Sequence, residues 1–454
     1  MSPLLVLSML ALGQVAGEVE TEDGDVLFEV PLTEPQRVTL LEEKVSKLQS
    51  QLAQKPAGPA GFLSAMVSAV TLSGYIDFGF FVPQGNGAGY SQDFGNKIFP
   101  QYAGRYGWVF YGDILSTAIN SRGDVADLGD APGVSRYDSV HSRGALGFIL
   151  NVANLGVRAA VRDDLLFTVS LNFTPRSGTD FSLGDTFDLD LAQVEWMPTA
   201  DQRISFFAGK MESLMGVEYR TRHSPARFGI TPSLVARYTT GTPLGVKARA
   251  KLLKGDFVTI ALAFTNGSST TEQFHFYDEV DSNSGKTFSG RVSVKPFALF
   301  DSTLLGNLEV GASAEWGPQD RARDTAEPLW FAGVDLLWDI GPIGLEGQWL
   351  KGAAAGRAVD SVYGLKLNQA AYLSLIWRIT SVIGVLVRGE FRDAFVFLGD
   401  ERAYLTHSWR ATVGARLSFN EHVTLKAEYL FNGEYGGVPF VPNDVFTSSL
   451  VLAY

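Results

Sequence analysis

The chain has 454 residues, 48 glycines, no cysteine and a formal net charge of −12 at pH 7. The acidic charge argues against nucleic acid as a partner, and the absence of cysteine excludes a disulfide framework. Aromatic residues make up 12% of the chain and charged residues 19%, without a clear run of amphipathic helices beyond the N-terminus. This composition is not typical of a two-domain enzyme and favours a large β-protein with alternating polar and apolar residues.

Residues 1–17 predict a signal peptide. An apolar stretch from Leu4 to Leu12 leads to Val15-Ala-Gly17 and then to acidic Glu18, although a basic n-region is missing. The stretch is too short to cross a bilayer as a helix, and no later stretch approaches ~18 apolar residues. Export without cysteine suits a protein of the periplasm or the outer membrane of a Gram-negative bacterium.

Residues 18–35 form an acidic linker, and residues 36–54 predict a short coiled-coil helix. The apolar side chains of this helix repeat at heptad spacing, at positions Val38, Leu41, Val45, Leu48 and Leu52. So short a helix is not stable alone, but it can reinforce an oligomer that is held elsewhere. The alternative is a helix that packs on its own domain. The Gly/Pro-rich residues 55–62 then predict a hinge.

Residues 63–454 predict a transmembrane antiparallel β-barrel, because segments of about ten residues alternate between apolar and polar side chains. The clearest segments are 165–174, 245–252, 256–265, 307–316, 328–338, 369–378, 382–392, 408–419 and 421–431. The last segment, 445–454, alternates in the same way and ends on the aromatic residue Tyr454. Its length matches a transmembrane strand of about 9–11 residues.

Short and long connections alternate along this region. The short ones include 162–164, 254–256, 339–342 and 419–421, and the long ones include 175–187, 211–244, 266–285, 317–327, 351–368, 393–407 and 432–444. Bacterial outer-membrane barrels are built with short turns at one rim and long loops at the other. The count is about 16 strands, or 18 if 105–116 crosses the membrane and 144–163 divides in two.

The polar faces of several strands carry charges at intervals of two residues. A charge that faces lipid at mid-depth costs about 2–4 kcal/mol, so these side chains are expected to line a water-filled lumen. The basic candidates are Lys247, Arg249, Lys251, Arg291, Lys295, Arg388 and Arg416, and the acidic ones are Glu309, Glu315 and Glu346. Lys247, Arg249 and Lys251 (the basic stripe) are the best candidate for an anion-guiding wall. The alternative is that these residues pair with acidic neighbours and stabilise the barrel.

The connection 211–244 is a candidate constriction, because a long loop folded inward narrows a barrel. It is unusually basic, with Arg220, Arg222, Arg227 and Arg237. The alternative is a cap that rests outside on the barrel rim. Segment 83–143 competes for the same role through Asp113, Asp124, Asp127, Asp130 and Asp138. These acids would form an acidic constriction, a divalent-cation site or a solvated loop.

Enzyme motifs are weak. The pairs His141-Ser142, His223-Ser224 and His407-Ser408 are adjacent in sequence, so in an extended chain their side chains point to opposite faces. No histidine cluster has metal-ligand spacing, and no Gly-rich phosphate loop follows a strand. The sequence therefore predicts no enzyme, no cofactor and no metal. A hydrolase would need a catalytic pair that separate strands bring together.

The order of signal peptide, short coiled coil, hinge and an opening strand Leu72-Ser-Gly-Tyr-Ile-Asp-Phe-Gly79 resembles the phosphate-selective porin O and P family of outer-membrane porins. This resemblance covers the layout of nearly the whole chain. It implies a 16-stranded barrel, a trimer and anion uptake guided by arginines and lysines. Tyr454 departs from the commoner terminal Phe. The family's phosphate-binding residues have no match here residue by residue, so phosphate specificity is not carried over.

The sequence therefore predicts an all-β porin of the outer membrane. It would be surrounded by outer-membrane lipid, assemble as a homotrimer and pass small hydrophilic solutes or ions by diffusion, with a preference for anions. The alternative is a structural barrel with a plugged lumen, in which the coiled coil is a periplasmic spacer.

Overall fold

The computed structural model describes residues 70–83, 147–173, 187–239, 241–253, 256–266, 284–299, 305–318, 328–356, 364–398, 401–435 and 444–454. All of them belong to the second of two compact units, Ala69–Tyr454. The predicted signal peptide, acidic linker, coiled coil and hinge lie outside the described residues. The acidic positions of segment 83–143 lie outside them as well.

The described residues form sixteen strands that close into one antiparallel barrel. The strands are β1 Val70–Pro83, β2 Gly147–Arg162, β3 Leu165–Phe173, β4 Phe187–Trp196, β5 Ile204–Lys210, β6 Leu244–Leu252, β7 Val258–Thr265, β8 Thr287–Val294, β9 Glu309–Pro318, β10 Pro328–Ile340, β11 Ile343–Ala354, β12 Gly364–Arg378, β13 Ile383–Leu398, β14 Glu401–Ser418, β15 Val423–Glu434 and β16 Val445–Ala453. Each strand pairs with its neighbours in sequence, and β16 closes the barrel on β1.

The count of 16 strands is confirmed, and the alternative of 18 is wrong. Residues 144–163 do not divide in two, because β2 runs as one strand from Gly147 to Arg162 and pairs along its length with β1 and β3. Segment 105–116 lies outside the described residues, and the barrel closes without it.

The alternation in the sequence separates the two faces of the wall. On β15, Tyr429 and Phe431 are exposed on the outside, whereas Lys426 and Glu428 are buried on the inside. On the same outer face, Leu262 of β7 is 62% exposed. Outward apolar side chains and inward charges are the arrangement of a barrel that stands in lipid around a polar lumen. No helix in the described part of the chain is long and apolar enough to span a bilayer.

Large aromatic side chains cluster outside near both rims. Those near the short turns include Trp196, Phe206, Trp377, Phe419 and Tyr454, and those near the long connections include Phe148, Trp316, Trp330 and Trp409. Two such girdles mark the membrane interfaces of an outer-membrane barrel.

The turn between β2 and β3 shows how the short rim is stabilised. The Arg162 guanidinium donates Nε to Asp164 Oδ1 at 2.8 Å and Nη2 to Oδ2 at 2.8 Å. This bonding lowers the pKa of the Asp164 carboxyl below its ordinary value. Trp196 Nε1 donates to the same carboxylate at 3.2 Å and joins the next turn to the first.

One connection differs from the prediction. Residues 393–407 do not form a long loop, because β13 continues to Leu398 and β14 already begins at Glu401. The pairing persists since His407 Nε2 lies 2.9 Å from Asp393 Oδ1 on the neighbouring strand, and the imidazole stacks on Tyr435 with ring centroids 5.1 Å apart. These side-chain contacts extend the hairpin beyond the predicted end of the strands.

Candidate functional site

The connection between β5 and β6, residues 211–243 (the inward segment), folds into the barrel. Its base is a short ladder in which Met211 N donates to Pro243 O and Ser213 N donates to Gly241 O, both at 3.0 Å. Beyond the base, Leu214 packs against Ala261 and Ala263 on the inner face of β7. Small residues at these wall positions let the segment approach closely, so it lies inside the barrel and is not a cap on the rim.

Lys426 of β15 fastens the inward segment through its backbone. Its Nζ donates to the carbonyl oxygens of Ser224 at 2.6 Å, Arg227 at 2.7 Å and Gly229 at 2.9 Å. The side chain is 1% exposed. An ammonium has three donors, so all three are satisfied here.

Glu428, two residues further along β15, binds the next turn of the segment as an acceptor, whereas Lys426 acts as a donor. Its carboxylate accepts from Ile230 N at 2.7 Å, from Thr231 N at 3.0 Å and from the Thr231 hydroxyl at 2.8 Å. Residues two apart on a strand share a face, so Lys426 and Glu428 together hold one stretch of backbone by its carbonyls and its amides.

β13 and β14 extend this attachment. The Glu390 carboxylate accepts from Leu234 N at 2.5 Å, from Arg410 Nε at 2.7 Å and from Arg388 Nε at 3.0 Å. Both arginines also donate to the Pro232 carbonyl, Arg410 at 2.6 Å and Arg388 at 3.2 Å. Ionic and backbone contacts therefore belong to one buried network.

Arg222 attaches the segment to β4. Its Nη1 and Nη2 lie 2.5 Å and 2.8 Å from the two carboxylate oxygens of Asp190, and its Nε lies 3.6 Å from Glu212. The next residue, His223, forms a hydrogen bond between its Nδ1 and the Tyr75 hydroxyl of β1, at 3.3 Å. The contacts therefore reach strands on nearly opposite sides of the barrel.

Arg220 joins a chain of charges on β8, β9 and β10. Its Nη2 and Nη1 lie 2.8 Å and 3.1 Å from the Glu309 carboxylate, which also lies 3.2 Å from Arg291. Arg291 in turn lies 2.5 Å from Asp335. Arg227 behaves differently, since its guanidinium donates to backbone carbonyls of the segment itself. The side chain of Arg237 lies outside the described side chains.

Lys247 of the basic stripe faces the lumen beside the inward segment. Its Nζ donates to the Glu212 carbonyl at 3.2 Å and lies 4.6 Å from the centroid of the Phe207 ring. In the part of the chain that the structure describes, Lys247 has no carboxylate within ion-pair distance. The carboxylates of Glu212 and Glu195 act on its charge from beyond ion-pair distance.

The other two residues of the basic stripe are paired. Arg249 Nη2 lies 2.8 Å from Glu195 Oε1 on β4, and Lys251 Nζ lies 3.3 Å from Asp256 Oδ2 beyond the end of the strand. Pairing with acidic neighbours, the alternative role for the stripe, is therefore present at Arg249 and Lys251. Paired side chains can still face the lumen, but pairing reduces the field that they contribute along the pore.

The remaining candidates lie in different parts of the barrel. Arg416 of β14 and Glu346 of β11 both line a cavity at the short-turn rim. Glu315 is buried on the inner face of β9, and Lys295 lies one residue beyond the end of β8.

This cavity (the vestibule cavity) has a volume of about 750 Å³. Its walls are the inner faces of β10–β14, and its roof is the part of the inward segment from Val217 to Gly229. Turn residues such as Pro342 and Thr380 mark its mouth at the short-turn rim. A solute that enters from this rim meets the inward segment at the end of the cavity.

The candidates chosen from the sequence omitted Lys426 and Arg410, which are among the most buried side chains in the described residues. The alternation placed both on a polar strand face, so their inward direction could be predicted. Their partners could not, because these lie on a segment about 200 residues away in sequence.

The His-Ser pair in this site forms no catalytic dyad. The Ser224 hydroxyl donates to Asp77, whereas His223 contacts Tyr75 and lies 3.7 Å from Asp190. His407 pairs with Asp393 on the outside of the wall, and Ser408 points to the other face.

The closed sixteen-stranded wall, with the segment after β5 folded inside it, defines a porin-type β-barrel. Two solved porins share this fold. The structure of Salmonella typhi OmpF in complex with daunomycin is 9% identical in sequence to this chain, with a TM-score of 0.51. The match covers 85% of this chain and 97% of that chain. The high-pH structure of Pseudomonas putida OprB is 7% identical in sequence, with a TM-score of 0.51. The match covers 87% of this chain and 97% of that chain.

The outer membrane channel DcaP of Acinetobacter baumannii is 12% identical in sequence, with a TM-score of 0.49. The match covers 85% of this chain and 97% of that chain. No protein-family model and no curated protein matches the sequence. The likeness to solved structures is a likeness of fold, and membership of the phosphate-selective porin O and P family is not confirmed.

Proposed function

We propose that this protein is an outer-membrane porin of a Gram-negative bacterium, and that the inward segment forms its constriction. The observation that carries this proposal is the inward segment itself, held inside a closed barrel whose outer face is apolar and whose inner face is charged. Small hydrophilic solutes or ions would diffuse passively through the remaining lumen. The neighbours of the barrel would be outer-membrane lipid and two further copies in a homotrimer.

The ion preference would depend on charges without a partner, because a paired lumen charge contributes little field along the pore. Lys247 and Arg416 form no ion pair in the described part of the chain, which supports a preference for anions. The three carboxylates at Glu309, Glu390 and Asp335 are occupied by arginines. Glu346 and Glu218 form no ion pair with arginine or lysine in the described residues, so their charges would act against this preference.

The test is single-channel recording of the refolded protein in a planar bilayer, with the reversal potential measured under a salt gradient. We expect discrete conductance steps and a reversal potential on the anion side. Lys247→Met should move that potential toward cations, while Lys351→Met, an exposed lysine outside the barrel, should leave it unchanged. If the protein inserts into the bilayer but conducts no current, the proposal that it is a porin is refuted.

A second candidate is a structural barrel whose lumen is plugged. The observation that favours it is the number of directions from which the inward segment is held, by β1 and β4 on one side and by β13–β15 on the other. A predicted coiled coil would then serve as a periplasmic spacer. Conductance separates the two candidates, because a plug blocks ions and a constriction only reduces their flow.

A further inference from the structure

The vestibule cavity has an uncompensated positive charge on one side. Arg416 of β14 donates Nε to the Ser418 hydroxyl at 3.1 Å, Nη1 to the Arg227 carbonyl at 3.2 Å and Nη2 to the Pro225 carbonyl at 3.3 Å. All three acceptors are neutral. A guanidinium has five N–H donors, so two remain for a ligand. The three bonds hold the side chain in place before any ligand arrives.

The opposite side of the cavity has two carboxylates. Glu346 of β11 accepts from the Tyr372 hydroxyl at 2.6 Å, and Glu218 of the inward segment accepts from the amide and hydroxyl of Ser233 at 2.7 Å and 2.5 Å. In the described residues neither carboxylate forms an ion pair with lysine or arginine. Carboxylates that are removed from bulk water normally have a cation partner.

The other charged side chains around the cavity are already engaged, and Arg227 donates to three backbone carbonyls of the inward segment. Arg378 lies 2.9 Å from Asp339, Arg388 lies 3.0 Å from Glu390, and Arg220 binds Glu309 through two hydrogen bonds. The charges that are available to a ligand are therefore those of Arg416 on one side and of Glu346 and Glu218 on the other.

Apolar side chains lie on the wall between these charges, beside Ser374 and the paired Arg388. Ile376 of β12 and Leu386 of β13 line the cavity on the two strands between β11 and β14, and Phe228 faces them from the inward segment. Three inter-strand steps of about 4.8 Å separate the backbones of β11 and β14 by roughly 14 Å. The strand pairing places Glu346 level with Thr412, so Arg416 lies four residues closer to the short-turn rim, which adds about 13 Å along the strand. The long inward side chains of Arg416 and Glu346 shorten the gap between the charged groups. A ligand of about three residues, at ~3.3–3.6 Å per residue, spans such a gap.

We infer that the vestibule cavity is a binding subsite for short zwitterionic peptides with free termini. The ligand ammonium would bind Glu346 and Glu218, its carboxylate would bind Arg416, and its apolar side chains would contact Ile376, Leu386 and Phe228. A volume of about 750 Å³ is within the range of small-molecule sites. The inference deepens the proposed function, because it names a solute class for the same lumen.

The test uses three tripeptides of one sequence, Ala-Leu-Ala, its N-acetyl form and its C-terminal amide. Binding to the full-length protein in detergent is measured by isothermal titration calorimetry. The free tripeptide should bind at least about tenfold more tightly than either capped form, since each cap removes one charge-assisted contact. Equal binding of the three peptides, or no binding of the free peptide, would overturn the inference.

Substitutions assign the two ends of the peptide. Glu346→Gln should abolish the advantage of the free peptide over the N-acetyl form, and Arg416→Gln should abolish its advantage over the amide. Arg416→Lys should restore part of that advantage. The controls are Glu421→Gln and Arg162→Gln, exposed turn residues at the same rim. Heat-modifiable gel mobility checks that each barrel is folded, and an unchanged preference in folded Glu346→Gln and Arg416→Gln would contradict the assignment.

Conductance in potassium chloride is recorded in parallel and separates this inference from the proposed function. A conducting channel without peptide preference overturns the subsite and leaves the porin. A silent barrel that binds the free peptide preferentially supports the subsite and refutes passive diffusion.

Discussion

Arg222 of the inward segment and Asp190 of β4 form a doubly hydrogen-bonded ion pair, with side chains that are 1% and 0% exposed. The carboxylate is part of the barrel wall, and the guanidinium belongs to a connection that has no regular strand of its own. The pair fixes where the segment meets this side of the wall. On the side of the wall formed by β13–β15, Lys426, Glu428 and Glu390 hold the segment in place.

Arg222→Met should destabilise the protein strongly, because it leaves a buried carboxylate without a partner. We expect a loss of about 3–5 kcal/mol, visible as a lower unfolding temperature in detergent. Asp190→Asn should act in the same direction. The double variant should lose less than the sum of the two single changes, and strict additivity would show that the pair is not coupled.

Lys426→Met should loosen the stretch from Ser224 to Gly229, because three buried carbonyls lose their donor. Each unsatisfied group costs about 1–3 kcal/mol, reduced where water can enter. Channel current should become noisier, and the unfolding temperature should fall. The exposed Lys351→Met is the matched control. Equal noise in both variants would mean that the lysine does not hold the segment.

Replacing residues 214–240 by a short Gly-Ser turn should open the lumen. The ladder at the base of the segment brings Ser213 and Gly241 within 3.0 Å (N to O), so a short turn can join them without strain in the wall. If the segment is a constriction, conductance should rise severalfold over a conducting wild type. If it is a plug, a silent wild type should become conducting. Unchanged conductance would exclude both roles.

Gly229→Ala should disturb the attachment to β15, because a methyl group at this position would overlap the Glu428 carboxylate and Leu386. Removing Glu428 from the Ile230 and Thr231 amides should lower the unfolding temperature. Gly389→Ala provides the control, since a methyl group there would meet no atom within 4 Å. A similar unfolding temperature in both variants would contradict the close approach of Gly229 to the wall.

Arg249→Ala should shift the reversal potential toward cations with a small effect on stability. The ion pair with Glu195 is partly exposed, so its contribution to stability is on the order of 1 kcal/mol or less. Its loss, however, leaves the Glu195 charge facing the lumen without compensation. Arg162→Ala, which removes an exposed arginine from a turn, serves as the control. An unchanged potential in Arg249→Ala would exclude Arg249 from ion selection.

The sequence by itself determined the barrel. A period of two residues is a local property of a strand, so the faces of β15 and β16 could be predicted from alternation alone. The same pattern, divided by short and long connections, limited the number of strands to 16 or 18, and the closed barrel decided on 16. The inward direction of the basic stripe also followed, because a charge in lipid is too costly.

Only the tertiary structure decided what these inward charges do. Whether Arg249 is free or paired depends on Glu195, 54 residues away, and the partners of Lys426 are about 200 residues distant. The extension of β13 beyond residue 392 depends on contacts of Asp393 with His407 on the next strand. Likewise, Glu346 and Arg416 face one cavity only because the barrel closes. Local periodicity carries no record of which side chains meet across a lumen, since closure and the course of the inward segment set those distances.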